Sequence, residues 1–332
     1  MQKIRSTSWR QCARALGIAM TLNGLAAMSA LAAFPDKPVR IVVPFAPGGG
    51  TDMIARTMGV AMAQDLGQPV IIDNKPGGAT IIGTDAVAKS AADGYTLVMA
   101  TVAHVVNPTI QPKLPYVHEE AFAPVMLVGR SPNVLVVRAD SPFKSVKDII
   151  AAAKAKPGKL SFASQGSGTS AHLAGELFKN LTNTNITHIP YRGAGPALSD
   201  LIGGHVDIMF ATASAVGSFV ENGTLRALAV TTADRSPALS LAKVPTVAES
   251  GVPGYVADSW YGLYVPAGTP PAVIARLNSA AKKAVQSEAF KKRVESEGLV
   301  ISAGTPEEFE RYAKGEEARW RKVVKAANIT AD

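Results

Sequence analysis

The strongest constraint on the fold lies at residues 39–52, VRIVVPFAPGGGTD, where a short apolar run stops at a proline and opens into three consecutive glycines followed by Thr-Asp. The run reads as a buried strand, and the spacing of Met53, Ile54, Met58 and Met62 beyond it predicts a helix. Glycine takes φ > 0 and lets backbone approach a ligand without a Cβ in the way. Thr51 is expected to cap the helix. The first amides of a helix lack internal partners and lie at the positive end of its dipole, so they suit a carboxylate or a phosphate. A second loop of this design, SFASQGSGTSAH at residues 161–172, follows in the same chain. Two such helix starts predict an anion gripped from two sides.

The 332 residues are 47% hydrophobic and 18% charged, a composition that buries a large core and excludes disorder as the dominant state. Lys3, Arg5, Arg10 and Arg14 precede an apolar segment at 15–31 that ends in Ala30-Leu31-Ala32. That order predicts a cleaved secretory signal peptide over residues 1–32 and an exported protein. The single cysteine, Cys12, leaves with it, so the mature chain has no disulfide, no thiolate metal site and no thiol nucleophile. Four basic residues leave as well, and the formal charge falls from +8 to 30 − 26 = +4. No Lys/Arg-rich run with interleaved aromatics points to nucleic acid, whereas a mildly positive field favours a small anionic ligand.

Strand-like and helix-like segments alternate after the signal, which argues for parallel α/β architecture. Strands are expected at 39–45, 69–73, 96–101, 134–138, 160–163, 187–191, 206–211, 225–231 and 262–265, and three helical patterns close the chain. Polar passages at 129–133 and 252–258 read as two hinges. The chain then divides into one lobe at 33–132 plus 256–332 and another at 133–255. A twice-crossed pair of α/β lobes is the usual geometry for hinge closure on a ligand in the crevice between them.

Other constellations weigh less. Residues 166–171, GSGTSA, fit a loose dinucleotide fingerprint, but the strand about 20 residues on ends in Tyr191-Arg192-Gly193 with no acid for a ribose. Gln165 occupies the first glycine position of a G-x-S-x-G elbow around Ser167, which removes the hydrolase reading. The five histidines show no metal-ligand spacing. His104 and His172 are expected to border the crevice if they meet the ligand, and otherwise to be structural. Tyr191 and Arg192 offer a phenol and a guanidinium at a strand end. Trp260 and Tyr261 either line the hinge or pack the core.

The chain resembles the Bug family, the periplasmic receptors associated with tripartite tricarboxylate transporters, over essentially its whole mature length. The segments that carry the resemblance are PFAPGGGTDMIAR (44–56), NKPGGATIIGTDAVAKSAADGYTLVMAT (74–101), SQGSGTSAHLAGELF (164–178), HIPYRGAGPALSDLIGGHVDIMF (188–210) and LRALAVTTADRSPALSLAKVPTVAESGVPGY (225–255). The resemblance implies a type II periplasmic-binding-protein fold, two α/β lobes joined by crossing strands around a ligand cleft, with no catalysis, no cofactor and no metal. It implies a monomeric receptor that passes a small organic carboxylate to a membrane permease; a sensor of the same fold feeding a two-component partner is the alternative. The ligand-binding residues implied are Phe45, Ala46, Gly48, Gly49, Gly50, Thr51 and Asp52 of the first loop, Thr101 of the same lobe, Ser164, Gly166, Ser167, Gly168, Thr169 and Ser170 of the second lobe's loop, Tyr191, and Ala211. Many relatives carry an Asp at the last position. Its absence, with Asp52 read as a first-turn helix acid and Asp207 as structural, predicts a ligand without an ammonium group.

Overall fold

The computed structural model describes residues 34–111, 113–238, 240–295, 298–326 and 329, and the expected signal segment lies outside them. Two sheets form, each the centre of an α/β lobe. In the first, β1 (Val39–Val43) lies between β2 (Val70–Asn74) and β3 (Thr96–Ala100) and is parallel to both. Beyond β3, β10 (Ser259–Pro266) runs antiparallel to it and to β4 (Phe122–Ser131), and β11 (Val300–Ile301) pairs with β4 at the edge. In the second, β6 (Ser161–Ser164) lies parallel between β7 (Thr187–Pro190) and β8 (Ile208–Thr212), and β5 (Asn133–Arg138) runs antiparallel to β8 and to β9 (Leu225–Val230). The sheets are mixed rather than parallel. Each contains one strand, β10 or β5, that the chain delivers directly from the other lobe, and it enters against its neighbours.

The helices are α1 (Gly50–Leu66), α2 (Ile81–Ala88), α3 (Val102–Ile110), α4 (His118–Ala121), α5 (Val146–Ala155), α6 (Ser170–Thr182), α7 (Ala194–Gly203), α8 (Ala213–Glu221), α9 (Pro271–Gln286), α10 (Glu288–Glu295) and α11 (Pro306–Ala326) among the described residues. In α1 the buried Ile54, Met58, Met62 and Leu66 recur every fourth residue and share one apolar cluster with Ile41 of β1 and Leu277 of α9. Gly67 ends that helix in the left-handed region, φ 69°, and its amide donates to Ala63 O. A second cluster runs from one lobe into the other, joining Val98 and Trp260 to Leu135, Phe162 and Tyr255. Trp260 and Tyr261 are fully buried, so both pack the core.

The sequence pattern misses β4. The 129–133 stretch reads as a hinge, and Pro124 sits at one of two places where the β4 ladder with β10 slips. Gly129 is inside the strand, and a β-carbon there would stand 2.6 Å from Val300 O of β11. The expected hinge at 129–133 is thus extended chain in which Pro132 alone separates the strands of the two lobes.

One buried side chain ties both crossings together. Asn133 donates its backbone amide to Thr231 Oγ1 (2.9 Å) and its Nδ2 to Ala257 O (3.0 Å), and accepts at Oδ1 from the Ser170 hydroxyl (3.1 Å). Thr231 in turn donates its hydroxyl to Ala257 O. Asn133→Leu keeps the volume and orphans these groups, so urea denaturation should register a loss of about 1–3 kcal/mol. An unchanged midpoint and slope would show that the network does not hold the crossings.

Candidate ligand-binding cleft

The loops that follow β1, β2, β6 and β7 enclose a cavity of about 790 Å³ between the lobes. Its walls include Phe45 and Ala46, residues 76–80, Gln165 to Ser167 with Thr169, and residues 190–193. The lobes meet at three seams around it. A β-carbon on Gly50 would lie 1.8 Å from Ser214 Oγ, one on Gly168 would lie 2.7 Å from Ile110 Cδ1, and one on Gly193 would lie 3.6 Å from Ala46 Cβ. The lobes therefore touch at these three seams.

The β1–α1 loop is held by Asp52. Its Oδ2 accepts from Gly48 N (2.9 Å) and Arg56 Nε (3.0 Å), and its Oδ1 accepts from Asn74 Nδ2 (2.9 Å). Burial alone pushes this carboxyl up, but the hydrogen bonds from Arg56, Gly48 and Asn74 outweigh it and leave the group below the ordinary aspartate range. Both oxygens are spent inside the loop. Of the three glycines only Gly48 takes positive φ, 87°, while Gly49 is the N-cap at −82° and Gly50 is needed small by Ser214. Thr51 falls in the first turn and caps nothing. Gly48 faces a separate groove, with Ser214 and Arg293, so Phe45 and Ala46 are the residues of this loop on the cavity wall.

The β2–α2 loop was not anticipated as part of the site. Gly77, Gly78, Ala79 and Thr80 all have positive φ, 119°, 54°, 51° and 78°, an unusual run for an alanine and a β-branched threonine. Asn107 of α3, buried at 1% exposure, holds them by donating Nδ2 to Ala79 O (2.8 Å) and Thr80 Oγ1 (3.2 Å). The Gly-Gly pair at 77–78 is the signal that the sequence offers for this loop.

In the β6–α6 loop, Thr169 is the N-cap of α6, accepting from His172 N and donating its hydroxyl to Gly166 O at 2.7 Å. Its hydroxyl is engaged within the loop, although the residue lines the cavity. Gly166 and Ser167 are also on the wall. Ser164 is fully buried and bonded to His188 Nε2 at 2.7 Å, Gly168 fills the seam against α3, and Ser170 serves Asn133. The His188 ring stacks on His172 at 3.9 Å, and burial, with His172 and Lys179 nearby, drives its pKa down to about 2. His172 Nδ1 accepts from Gly168 N, which fixes the ring behind the loop. This histidine pair braces the loop and His188 adds no positive charge.

After β7, Tyr191 donates its hydroxyl to Asp200 Oδ2 at 2.6 Å, and burial followed by that bond pushes its pKa up to about 12. The ring lines the cavity while the hydroxyl is occupied. Arg192 lines it as well and is the one charged side chain among the lining residues. Thr101 and Ala211 do not line it: Thr101 is the buried N-cap of α3, and Ala211 is packed inside the second lobe against Val134. His104 is buried among His118, Phe122 and Tyr264, with centroids 4.6 to 4.8 Å away, so it is a core residue. Asp207 accepts from Ser161 N and Oγ at the start of β6, the opposite end from the cavity. The lining carries no Asp or Glu, and among the described residues no group of three or more His, Cys, Asp or Glu side chains could hold a metal.

Three N-caps, Thr80 of α2, Thr169 of α6 and Gly193 of α7, lie on the cavity wall. Helix dipole ends make such a wall favourable to negative charge, although in α2 the Ile81 and Ile82 amides are already bonded to Gly78 O and Gly77 O. The profile of the tripartite tricarboxylate transporter family receptor, TctC, matches residues 54–329. The chain belongs to this receptor family. BugT of Bordetella pertussis is 39% identical over 312 residues, spanning 93% of this chain and 95% of BugT. Among solved structures, R. palustris Rpa4515 with adipate superposes with a TM-score of 0.86 at 37% identity, over 90% of this chain and 100% of that one. MatC from Rhodopseudomonas palustris with bound malate gives 0.83 at 32% identity, over 88% and 100%. The matched proteins of the family are solute-binding receptors, not enzymes.

For this TctC-family receptor, Asp52 sets a pH signature. Its folded pKa lies below the unfolded value of about 3.9, so its contribution is complete above that value and is lost as pH falls through the depressed folded pKa. Asp52→Ala should cost about 1–3 kcal/mol near neutral pH by orphaning the Gly48 and Asn74 donors. Denaturation at pH 7 and pH 3 should find the gap between variant and parent narrower at pH 3, and an equal gap at both would contradict this role.

Proposed function

We propose that the chain is an extracytoplasmic solute receptor that encloses a small organic carboxylate between its lobes and delivers it to the permease of a tripartite tricarboxylate-type transporter. The observation that carries this reading is the cavity wall: three helix N-caps, one guanidinium and no carboxylate. An anion enclosed there meets positive dipole ends and loses no energy to a like charge. The adipate and malate of two similar structures point to the same ligand class. The expected signal segment supports a location outside the cytoplasm, and family membership supports a permease as the partner.

The same wall favours ligands without an amine. The ground is the acid-free lining rather than Ala211, since that residue lies in the core. A closed cavity that takes an ammonium without a counter-charge leaves it uncompensated, at a cost of several kcal/mol. Calorimetric titration of the purified mature chain with succinate against aspartate, and with glutarate against glutamate, should give tighter binding of the non-amino acid by about tenfold or more. Tighter binding of both amino acids would overturn this preference. Failure of carboxylates as a class to bind would overturn the receptor reading.

A further inference from the structure

The cavity has two places suited to negative charge, and they sit at different seams. At one, Asn107 holds the Ala79–Thr80 turn of the first lobe while its Oδ1 lies 3.2 Å from where a β-carbon on Gly168 would stand in the second. The place suited to negative charge at this seam is the start of α6, with Gly166, Ser167 and Thr169 on the wall, since the Ile81 and Ile82 amides of α2 are bonded to Gly78 O and Gly77 O. The other lies beside Ala46, where Gly193 begins α7 and the preceding residue is Arg192. The pairing of β6 with β7 sets Ser164 opposite Pro190, so the loops carrying Gly166 and Arg192 emerge side by side from adjacent strand ends. Arg192 is exposed rather than buried in the fold, and among the described residues no carboxylate forms an ion pair with it. The other basic groups near the cavity are occupied or neutral: Arg56 is bound to Asp52 and Asn74, and His188 is held neutral by burial.

A ligand with a single carboxylate fills one of these places and leaves the other to water. We propose that Arg192 is the specificity-determining residue of the site: it receives the second carboxylate of the ligand, so the protein selects dicarboxylates over monocarboxylates of equal chain length. The proposal rests on the carboxylate-receptor reading and narrows it. The guanidinium suits the task because it offers forked donors to both oxygens of a carboxylate and stays charged at any physiological pH. Because Gly193 meets Ala46 across the seam, a carboxylate held at Arg192 also lies against the first lobe and favours closure.

Calorimetry on the mature chain tests this with matched pairs, from succinate and butyrate through adipate and hexanoate to suberate and octanoate. The best dicarboxylate should bind about tenfold or more tightly than its monocarboxylate partner, the ratio expected of a hydrogen-bonded charge pair. Arg192→Gln should collapse that ratio toward one by weakening the dicarboxylate more than the monocarboxylate, since the dicarboxylate alone uses both places at once. Arg192→Lys should recover part of the preference, because it restores charge without the fork. An unchanged ratio in Arg192→Gln, or equal binding of the two acids by the parent, would overturn the proposal while leaving the carboxylate reading in place. Binding of neither class by the parent would overturn both.

Discussion

The architecture depends on one buried amide at the point where the chain passes between lobes. Asn133 is fully buried and spends its side chain on the second crossing, through Ala257 O, and on the first turn of α6, through Ser170. A buried amide with all its bonds made fixes position far more tightly than apolar contact does, because any displacement leaves polar groups unpaired. The hinge and the helix that presents Thr169 to the cavity are thereby parts of one hydrogen-bonded unit. Rotation of the lobes about Pro132 has to pivot on this unit, which holds the β6–α6 loop in the same place relative to both crossings.

Polar groups around the cavity divide into those that build the loops and those that face the space. Asp52, Ser164, Ser170 and the hydroxyl of Tyr191 are consumed by protein partners. The wall is left with loop backbone at helix starts, with Arg192, and with Gln111, Gln165 and Ser167. A ligand is then recognised mainly by fixed dipoles, whose orientation is set before it arrives, so little reorganisation accompanies binding. The positive φ values at Ala79 and Thr80 fit this economy, since strain in a loop is tolerated where neighbouring bonds, here from Asn107, over-determine it.

Much of this was legible in the sequence, and the failures have physical causes. The strand-glycine-helix pattern at 39–52 and the serine-glycine loop at 161–172 located two walls of the cavity, since apolar periodicity and turn residues are local signals. Thr51 was misplaced as a cap because the helix begins two residues earlier than such a cap requires, at Gly50 with Gly49 as the cap, and Gly50 is a glycine required by Ser214 of the other lobe. Ala211 and His104 were drawn toward the cleft by their nearness to strand ends, and only packing against Val134 and against Phe122 and Tyr264 reveals them as core. The Gly77–Thr80 loop escaped notice because its fourfold positive φ is enforced from Asn107, far along the chain. Strand β4 was obscured by Pro124, which a bulged ladder accommodates.

The central claim is that one anion is held at once by helix starts of both lobes. Amide hydrogen exchange of the mature protein, with and without saturating dicarboxylate, reads this directly at the backbone. The account predicts slowed exchange in three segments together, residues 77–82 of the first lobe and 166–172 and 193–197 of the second, because a bound carboxylate and the closed lobes shield all of them. Slowing confined to one lobe, or absent from all three segments while binding is complete, would contradict it.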